Sequence, residues 1–294
     1  MRHILAATDL SSPSDLALDR AIGLAAHTGA ALTILSVEES HDASVLSMDA
    51  NPLALGEFTQ RMAEFTASQL IERVERAAAI GVTATPVHKR GRPTDVICDV
   101  AEELDVDLIV VGSAGRTGVK RLVLGSVAES VAHRAPRPVL IARGKQSGAF
   151  GRVLWATDFG APAAKALAVA RALALPTADV EALYAWHYPA GSMGLAALGE
   201  RTHAMSALRE ALTQGPQSRG DALVAAEVAA GRPLRFSLRH GPAAEVVVEE
   251  AGTFGADLIA IGTYGSSGVR RLLLGSVASQ VMRHAGCSVL VTHG

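Results

Sequence analysis

Short apolar runs alternate with longer segments of helical period along the chain. In the first half the apolar runs are 4–8, 31–37, 82–87, 108–112 and 139–142, and the helical segments are 14–27, 57–80, 94–104 and 126–134. This alternation is typical of βαβ units around a parallel sheet. The runs are almost continuous in Val, Ile and Leu, as expected of strands covered on both faces. The pattern predicts an α/β fold with an open five-stranded parallel sheet flanked by helices.

The second half of the chain repeats the first. Residues 112–143 and 262–293 align at a spacing of 150, and 15 of the 32 paired positions are identical. The repeat predicts second-half strands near 152–157, 179–185, 234–239, 257–261 and 288–292. A period this long is beyond that of solenoid repeats, so each copy should own a core. We therefore expect two tandem domains, 1–144 and 150–294, joined by a short segment of small and polar residues.

Two segments, 39–55 and 187–199, have no clear period and are rich in small and polar residues. Both follow the second strand of their copy, and both are predicted to be exposed loops; a lid or a partner-binding role is the alternative. Asp107 and Asp257 precede strands at the end opposite the expected ligand crevice. These two carboxylates are therefore expected to be structural.

Composition narrows the class of protein. Of 294 residues, 49% are hydrophobic and 19% charged, and the net charge is −2, so nucleic acid is not expected as a partner. Cys98 and Cys287 are the only cysteines, which fits a reducing cytoplasm. The N-terminus lacks the apolar core of a signal peptide. The longest stretch free of charged residues, 182–199, is interrupted by Pro189 and Gly191, so no membrane span is expected.

A glycine pattern follows the fourth predicted strand of each copy. Both copies read G-x2-G-x9-G-S, from Gly112 to Ser126 and from Gly262 to Ser276. Glycine permits positive φ at a sharp strand exit and lets backbone amides approach a ligand closely. The Gly-Ser pair then begins a helix whose free N–H groups and dipole favour an anion. The pattern indicates a phosphate site, although strand exits also use glycine for structural reasons alone.

Other phosphate motifs are absent from the sequence. There is no G-x4-G-K-[ST] segment, and no G-x-G-x-x-G follows the first strand. The first strand instead ends in Asp9. Ligands of open α/β sheets bind beyond the carboxyl ends of the strands where the order reverses, which would bring Asp9 and Gly112 into one crevice. There Asp9 could accept a hydrogen bond from a nucleoside or bind Mg²⁺; alternatively, it caps the following helix.

These features together resemble the tandem universal stress protein family. Besides the glycine pattern, the residues Thr8-Asp9, Gly91-Arg92-Pro93 and Pro138-Val139-Leu140 match that family, and the match covers essentially the whole chain twice. The resemblance implies Rossmann-like domains of the adenine nucleotide alpha hydrolase type, with strand order 3-2-1-4-5 and pairing of the fifth strands between domains. It also implies that ATP binds in both copies, with ADP or AMP as alternatives.

The resemblance also assigns residues to the nucleotide and to Mg²⁺. The adenosine would lie at Asp9 and Val37, and the ribose and phosphates at the glycines and the serine that follow. The full set is Asp9, Val37, Gly112, Gly115, Arg116, Gly125, Ser126 and Val127 in the first copy, and Asp158, Gly262, Gly265, Gly275, Ser276 and Val277 in the second. Asp9 and Asp158 are the Mg²⁺ candidates.

The second copy departs from this pattern at three places. Ser11 has no hydroxyl counterpart, because the second copy reads Asp158-Phe159-Gly160-Ala161. Val37 corresponds to Ala185 or Trp186, depending on where a gap is placed. Arg116 is replaced by Ser266, so the second site has one cation fewer, and we expect the first to bind more tightly.

No residue stands out as a catalytic base, so rapid turnover is not predicted. The function expected from the sequence is an ATP-binding stress-response module that acts through ligand-linked changes of conformation or partner. A slow Mg²⁺-dependent ATPase and a nucleotide-independent scaffold are the alternatives. The two copies are expected to form a pseudo-dimer within the chain, and a homodimer is a further expectation.

Overall fold

The computed structural model describes residues 1–39, 52–113, 124–144, 146–189, 203–263 and 275–293. The chain divides into two compact units, Met1–Ala149 and Phe150–Gly294. No helix in the described ranges is long and apolar enough to cross a membrane.

The first unit contains five strands and four helices within the described residues. They are β1 (His3–Thr8), α1 (Ser12–Thr28), β2 (Ala31–Glu39), α2 (Pro52–Ala78), β3 (Ala84–Gly91), α3 (Pro93–Glu103), β4 (Leu108–Gly112), α4 (Ser126–Arg134) and β5 (Val139–Ala142). The strands are parallel and lie in the order β3-β2-β1-β4-β5. The direction of winding reverses between β1 and β4, so a crevice opens where these two strands end.

The second unit has the same succession of elements. They are β6 (Phe150–Ala156), α5 (Ala161–Leu173), β7 (Ala174–Trp186), α6 (His203–Ala229), β8 (Arg235–His240), α7 (Ala243–Phe254), β9 (Leu258–Gly262), α8 (Ser276–His284) and β10 (Ser288–Thr292). Its parallel strands lie in the order β8-β7-β6-β9-β10. The crevice of this unit therefore opens at the ends of β6 and β9.

The predicted α/β fold with two repeated domains is confirmed, and the differences lie at the ends of elements. The loop predicted over 39–55 is wrong for 52–55, because α2 already begins at Pro52; proline fits the first turn of a helix, where its missing N–H costs nothing. Strand β7 begins at Ala174 rather than near 179. Ala174 pairs with Phe150 of β6, and the register then shifts so that Arg152 pairs with Asp179. Residues 40–51 and 190–199 of the predicted loops lie outside the described residues.

The central strands form the core of each unit. Strand β4 carries the sequence LIVVG and β9 the sequence LIAIG, and the first three residues of each are completely buried. Burying one Val, Leu or Ile side chain stabilises a fold by about 1.5–3 kcal/mol. The continuous apolar runs therefore form strands that helices cover on both faces, and they fix the sheet ends from which the crevices are built.

A buried ion pair holds α2 against α1. The Arg73 guanidinium contacts the Asp15 carboxylate at 2.9 Å, with the Arg73 side chain only 5% exposed. On the neighbouring turn Arg76 contacts Asp19 at 2.7 Å, but both side chains are more than one third exposed. Removing the buried cation would leave the Asp15 charge without its partner, so we expect the first pair to matter far more for stability.

Asp107 and Asp257 have the structural role expected of them. The Asp107 carboxylate accepts hydrogen bonds from the backbone N–H groups of Arg2 and His3 at the start of β1. Burial raises the pKa of Asp107, but these hydrogen bonds and the positive charges nearby outweigh it and hold the pKa below its ordinary value. Asp257 accepts from the N–H groups of Gly151 and Arg152 at 2.8 and 3.0 Å.

Candidate functional site

A cavity of about 220 Å³ lies in the crevice of the first unit, where β1 and β4 end. Six of the predicted site residues line it, and they come from four different segments of the chain. They are Asp9, Val37, Gly112, Gly125, Ser126 and Val127. The other two predicted residues of this copy, Gly115 and Arg116, lie outside the described residues.

The second unit has a cavity at the equivalent place, with a volume of about 380 Å³. Five predicted residues line it: Asp158, Gly262, Gly275, Ser276 and Val277. Gly265 lies outside the described residues. Both copies thus bring the acidic residue after the first strand next to the glycine-rich exit of the fourth, although these residues are about a hundred positions apart in the chain.

The strand register identifies the counterpart of Val37. Ala7 pairs with Leu35 in the first unit, and the equivalent Ala156 pairs with Leu183 in the second. Val37 lies two residues after Leu35, so its counterpart is Ala185, two residues after Leu183. Ala185 lines the second cavity. The gap that the sequence left open is therefore resolved in favour of Ala185 over Trp186.

Both acidic residues fix a tight loop after the first strand. The Asp9 Oδ1 accepts hydrogen bonds from the backbone N–H of Ser11 at 3.0 Å and from its hydroxyl. The Asp158 Oδ1 accepts a hydrogen bond from the backbone N–H of Gly160 at 2.9 Å. Leu10 and Phe159, which follow the two acidic residues, adopt positive φ of 62° and 61°. Ser11, rather than Asp9, caps α1 by accepting from the Ser14 N–H, so the helix-capping alternative for Asp9 does not hold.

Two polar atoms of the second cavity have no hydrogen-bond partner. Both the Asp158 Oδ2 and the Thr263 Oγ1 are buried and unpartnered in the described structure. Thr263 is 1% exposed and lines the cavity with Asp158. A buried polar group that is left unsatisfied costs about 1–3 kcal/mol. These atoms fit a ligand that presents a hydrogen-bond donor to the carboxylate and a polar group to the hydroxyl.

The helices that begin at the Gly-Ser pairs have no side-chain cap. Gly125 and Gly275 occupy the N-cap positions of α4 and α8. Because glycine has no side chain, neither residue can accept a hydrogen bond from the first-turn N–H groups in the way that a serine or aspartate would. Their own N–H groups donate to the carbonyls of Ser113 and Thr263, at 2.9 and 2.7 Å. The first turn of each helix therefore presents N–H groups toward its cavity, which is the arrangement that favours an anion.

Close packing requires glycine at Gly262 and Gly275. The φ values of Gly125 and Gly275 at the helix starts are −66° and −59°, so positive φ is not what requires glycine there. A Cβ on Gly275 would lie 2.6 Å from the Thr263 carbonyl oxygen. A Cβ on Gly262 would lie 2.8 Å from the Ala163 nitrogen at the start of α5. Larger residues would force apart the strand exit and the helix starts that form the cavity.

Several lining residues were missed by sequence reasoning. Pro93 and Ile97 of α3, Ala243 and Val247 of α7, and Tyr184 of β7 all line one of the two cavities. Pro93 was visible in the sequence as part of the Gly91-Arg92-Pro93 segment after the third strand, but it was not assigned to the site. The third helix of each copy packs its first turns over the crevice. This placement follows from the fold, and no local sequence pattern indicates it.

The acid–base chemistry of the two cavities is limited. Among the described lining residues, each cavity has one carboxylate, that of Asp9 or Asp158. No group of three or more His, Cys, Asp or Glu that could hold a metal occurs among the described residues. Burial raises the pKa of the half-buried Cys98 thiol, so this cysteine stays protonated. A metal at either aspartate would take its remaining ligands from phosphate oxygens and water, as Mg²⁺ commonly does.

Comparison with known proteins adds an independent result. The family model described as Universal stress protein family matches residues 1–143 and again residues 149–293. The chain is 34% identical over 145 residues to a protein of Staphylococcus aureus (strain USA300) that is itself assigned to the universal stress proteins; the match covers 48% of this chain and 84% of the relative.

Solved structures show the same fold. The crystal structure of a universal stress protein from Archaeoglobus fulgidus superposes with a TM-score of 0.73 at 22% identity, covering 99% of this chain and 98% of that one. Half of the chain is also similar to a universal stress protein crystallised in complex with cAMP, at 29% identity and a TM-score of 0.38, covering 48% of this chain and 97% of that one.

Proposed function

Because the chain belongs to the universal stress protein family, we propose that it is an ATP-binding stress-response protein of the cytoplasm with one adenine nucleotide site in each unit. The observation that carries the proposal is the repeated cavity at the reversal point of each sheet. Each cavity combines an acidic residue, a glycine-lined strand exit and the uncapped start of a helix. ADP and AMP are alternative ligands of the same sites.

The residues divide the ligand between them. The proposed phosphate contacts are the first-turn N–H groups of α4 and α8 and the hydroxyls of Ser126 and Ser276. The proposed nucleoside contacts are the carboxylates of Asp9 and Asp158, with Val37 and Ala185 as the apolar wall. The unpartnered Oδ2 of Asp158 supports this division, since ribose and adenine both carry hydrogen-bond donors.

Mg²⁺ fits as a companion of the phosphates rather than as a resident metal. One carboxylate per cavity provides a single protein ligand, and phosphate oxygens and water would complete the shell. A bound Mg²⁺ would neutralise phosphate charge. The proposal places it at Asp9 and Asp158, and a binding role does not depend on it.

The expected affinity follows from the number of contacts. A hydrogen bond to a charged group contributes about 1.5–3 kcal/mol. Four or five such bonds to a triphosphate would give about 8 kcal/mol after the cost of association, which corresponds to a micromolar Kd. Nucleotide binding to the folded state would then stabilise it by mass action, and this linkage is the proposed regulatory output.

A stoichiometry measurement tests the proposal. Purified protein saturated with Mg-ATP should bind two nucleotides per chain and release them on denaturation. Gly125→Val and Gly275→Val should each remove one nucleotide, and the double variant should bind none. The exposed Gly286, around which a Cβ would meet nothing within 4 Å, provides the matched control Gly286→Val, which should still bind two.

The same experiment separates the alternatives. Unhydrolysed ATP after prolonged incubation favours a binding protein, whereas steady product formation that stops in Asp9→Ala indicates a slow ATPase. Wild-type protein that binds no nucleotide and shows no thermal shift with Mg-ATP would refute the proposal and leave a nucleotide-independent scaffold.

A further inference from the structure

The two cavities differ in the size of their walls. At three equivalent positions the second unit has the smaller side chain, and these positions lie on the second strand and on the third helix of each copy. The pairs are Val37 and Ala185, Pro93 and Ala243, and Ile97 and Val247. The second cavity is correspondingly larger, at about 380 Å³ against 220 Å³.

Each cavity continues into a neighbouring cleft beside the start of the Gly-Ser helix. In the first unit this cleft shares Pro93, Ser126 and Val127 with the main cavity. In the second unit the shared residues are Ala243, Ser276 and Val277. Because Ser126 and Ser276 are the proposed phosphate contacts, the clefts begin at the phosphate end of the ligand.

The two clefts differ in whether charged side chains line them. Charged side chains line the cleft of the first unit: Glu39, Arg92, Asp95 and Arg134. There the Arg134 guanidinium contacts Asp95 at 2.6 Å, and both arginines remain more than half exposed. Such a cleft can stabilise further charge on a phosphate.

The cleft of the second unit is lined by small and apolar residues together with the polar side chains of His187, Ser276 and Gln280. Its volume is about 420 Å³, and its described lining residues include no Asp, Glu, Lys or Arg. Pro242 stands at the position of Arg92, Ala244 at that of Thr94, and His187 at that of Glu39. A doubly charged phosphate end would find no Lys or Arg among these residues, whereas an apolar group would be removed from water against Pro242, Ala243 and Val277.

We infer that the second site takes an adenine nucleotide whose terminal phosphate is esterified to an uncharged organic group, whereas the first site favours the free phosphate. The inference rests on the proposed function and adds the ligand class of its second site. Esterification removes one negative charge from the phosphate and supplies the apolar surface that this cleft can cover. Ala243 lines both this cleft and the nucleotide cavity.

Matched pairs of ligands test the inference. The probes are AMP, ADP and ATP, each free and as the phenyl ester of its terminal phosphate, titrated calorimetrically against the full chain. Gly125→Val leaves the second site available and Gly275→Val leaves the first. For at least one pair, the preference for the ester over the free nucleotide should be at least tenfold greater at the second site than at the first.

A substitution that copies the first unit should reduce the ester preference of the second site. In the Gly125→Val background, Pro242→Arg should reduce the ester preference at least fivefold, because the guanidinium pairs with a free phosphate. The change should fold, since Arg92 occupies the equivalent position with φ of −77° and Pro242 has φ of −61°. Ala230→Arg adds the same charge beyond the far end of α6 and should leave the ratio unchanged.

The outcomes are distinguishable. Equal ester preference at both sites, or a Pro242→Arg variant that behaves like Ala230→Arg, would overturn the inference while leaving the proposed function intact. If neither the free nucleotides nor their esters bind to the wild-type chain, the proposed function fails, and the inference fails with it.

Discussion

Asp158→Asn should change the stability of the ligand-free protein and its nucleotide affinity in opposite directions. One oxygen of Asp158 accepts from the Gly160 N–H at 2.9 Å, while the other is buried without a donor. Asparagine keeps the first hydrogen bond through its amide oxygen. It replaces the unpartnered charged oxygen with a neutral NH₂ group, which costs less to bury.

The magnitudes follow from the same geometry. Leaving a buried polar group unsatisfied costs about 1–3 kcal/mol, and more for a charged group. Asp158→Asn should relieve part of this burial cost. It should therefore raise the unfolding free energy of the ligand-free protein by about 1 kcal/mol, or its Tm by about 2–4 °C for a unit of this size. A ligand that donates to the carboxylate loses about 1.5–3 kcal/mol, which is about 10- to 150-fold in Kd.

Thermal unfolding without nucleotide and calorimetric titration of ATP into the Gly125→Val background measure the two effects. Asp257→Asn is the control, because both Asp257 oxygens already accept backbone N–H groups at the other end of the sheet. That variant should lower the Tm and leave the affinity unchanged. An Asp158→Asn protein that is clearly less stable, or that binds ATP as tightly as before, would show that Asp158 is a structural residue.

Three further substitutions test the packing and electrostatics of the fold. Gly275→Ala should lower the Tm by several degrees and weaken nucleotide binding at the second site about tenfold or more. The reason is that the alanine Cβ would lie 2.6 Å from the Thr263 carbonyl oxygen. The control Gly286→Ala should change neither the Tm nor the binding. In urea titrations, Arg73→Ala should cost about 3 kcal/mol and Arg76→Ala less than about 1 kcal/mol, and equal losses would contradict the assigned difference in burial. Asp107 has a lowered pKa in the folded state, so its contribution is complete above its unfolded pKa of about 3.9 and is lost as the pH falls through the folded pKa. Asp107→Asn should therefore destabilise the protein at pH 7, and the destabilisation should shrink below about pH 4; an effect that does not change with pH would refute this account.

The sheet and the glycine-rich strand exits could be predicted from the sequence because each depends on local patterns. Strands β4 and β9 are short apolar runs that end in glycine, and a helix-start signal follows each of them. The 150-residue repeat then doubled every such signal. The position of Asp9 beside Gly112 also followed, since parallel strands bring their carboxyl ends to one edge.

The parts that could not be predicted depend on register and on contacts between distant segments. Ala185 is the counterpart of Val37 only because β7 pairs with β6 in a particular register, and no local pattern records that pairing. Thr263 has no visible motif, and its significance comes from being 1% exposed with an unpartnered hydroxyl. The helix that begins at Pro52 was not predicted because its first turn, Pro52-Leu53-Ala54-Leu55, is followed by Gly56, which is unfavourable inside a helix.

The glycines and the walls of the two sites carry different information. A Cβ on Gly262 or Gly275 would lie 2.8 or 2.6 Å from a neighbouring backbone atom, so substitution would disturb the fold whatever ligand is bound. Two copies of the glycine pattern therefore indicate two similar cavities, but they do not show that both cavities take the same molecule. Residues that differ between the two units, such as Ala185 and Pro242, line the second cavity or its neighbouring cleft. Differences in ligand specificity between the two units should accordingly depend on these wall positions. Exchanging the wall residues between the units should exchange their ligand preferences and leave the unfolding free energy almost unchanged.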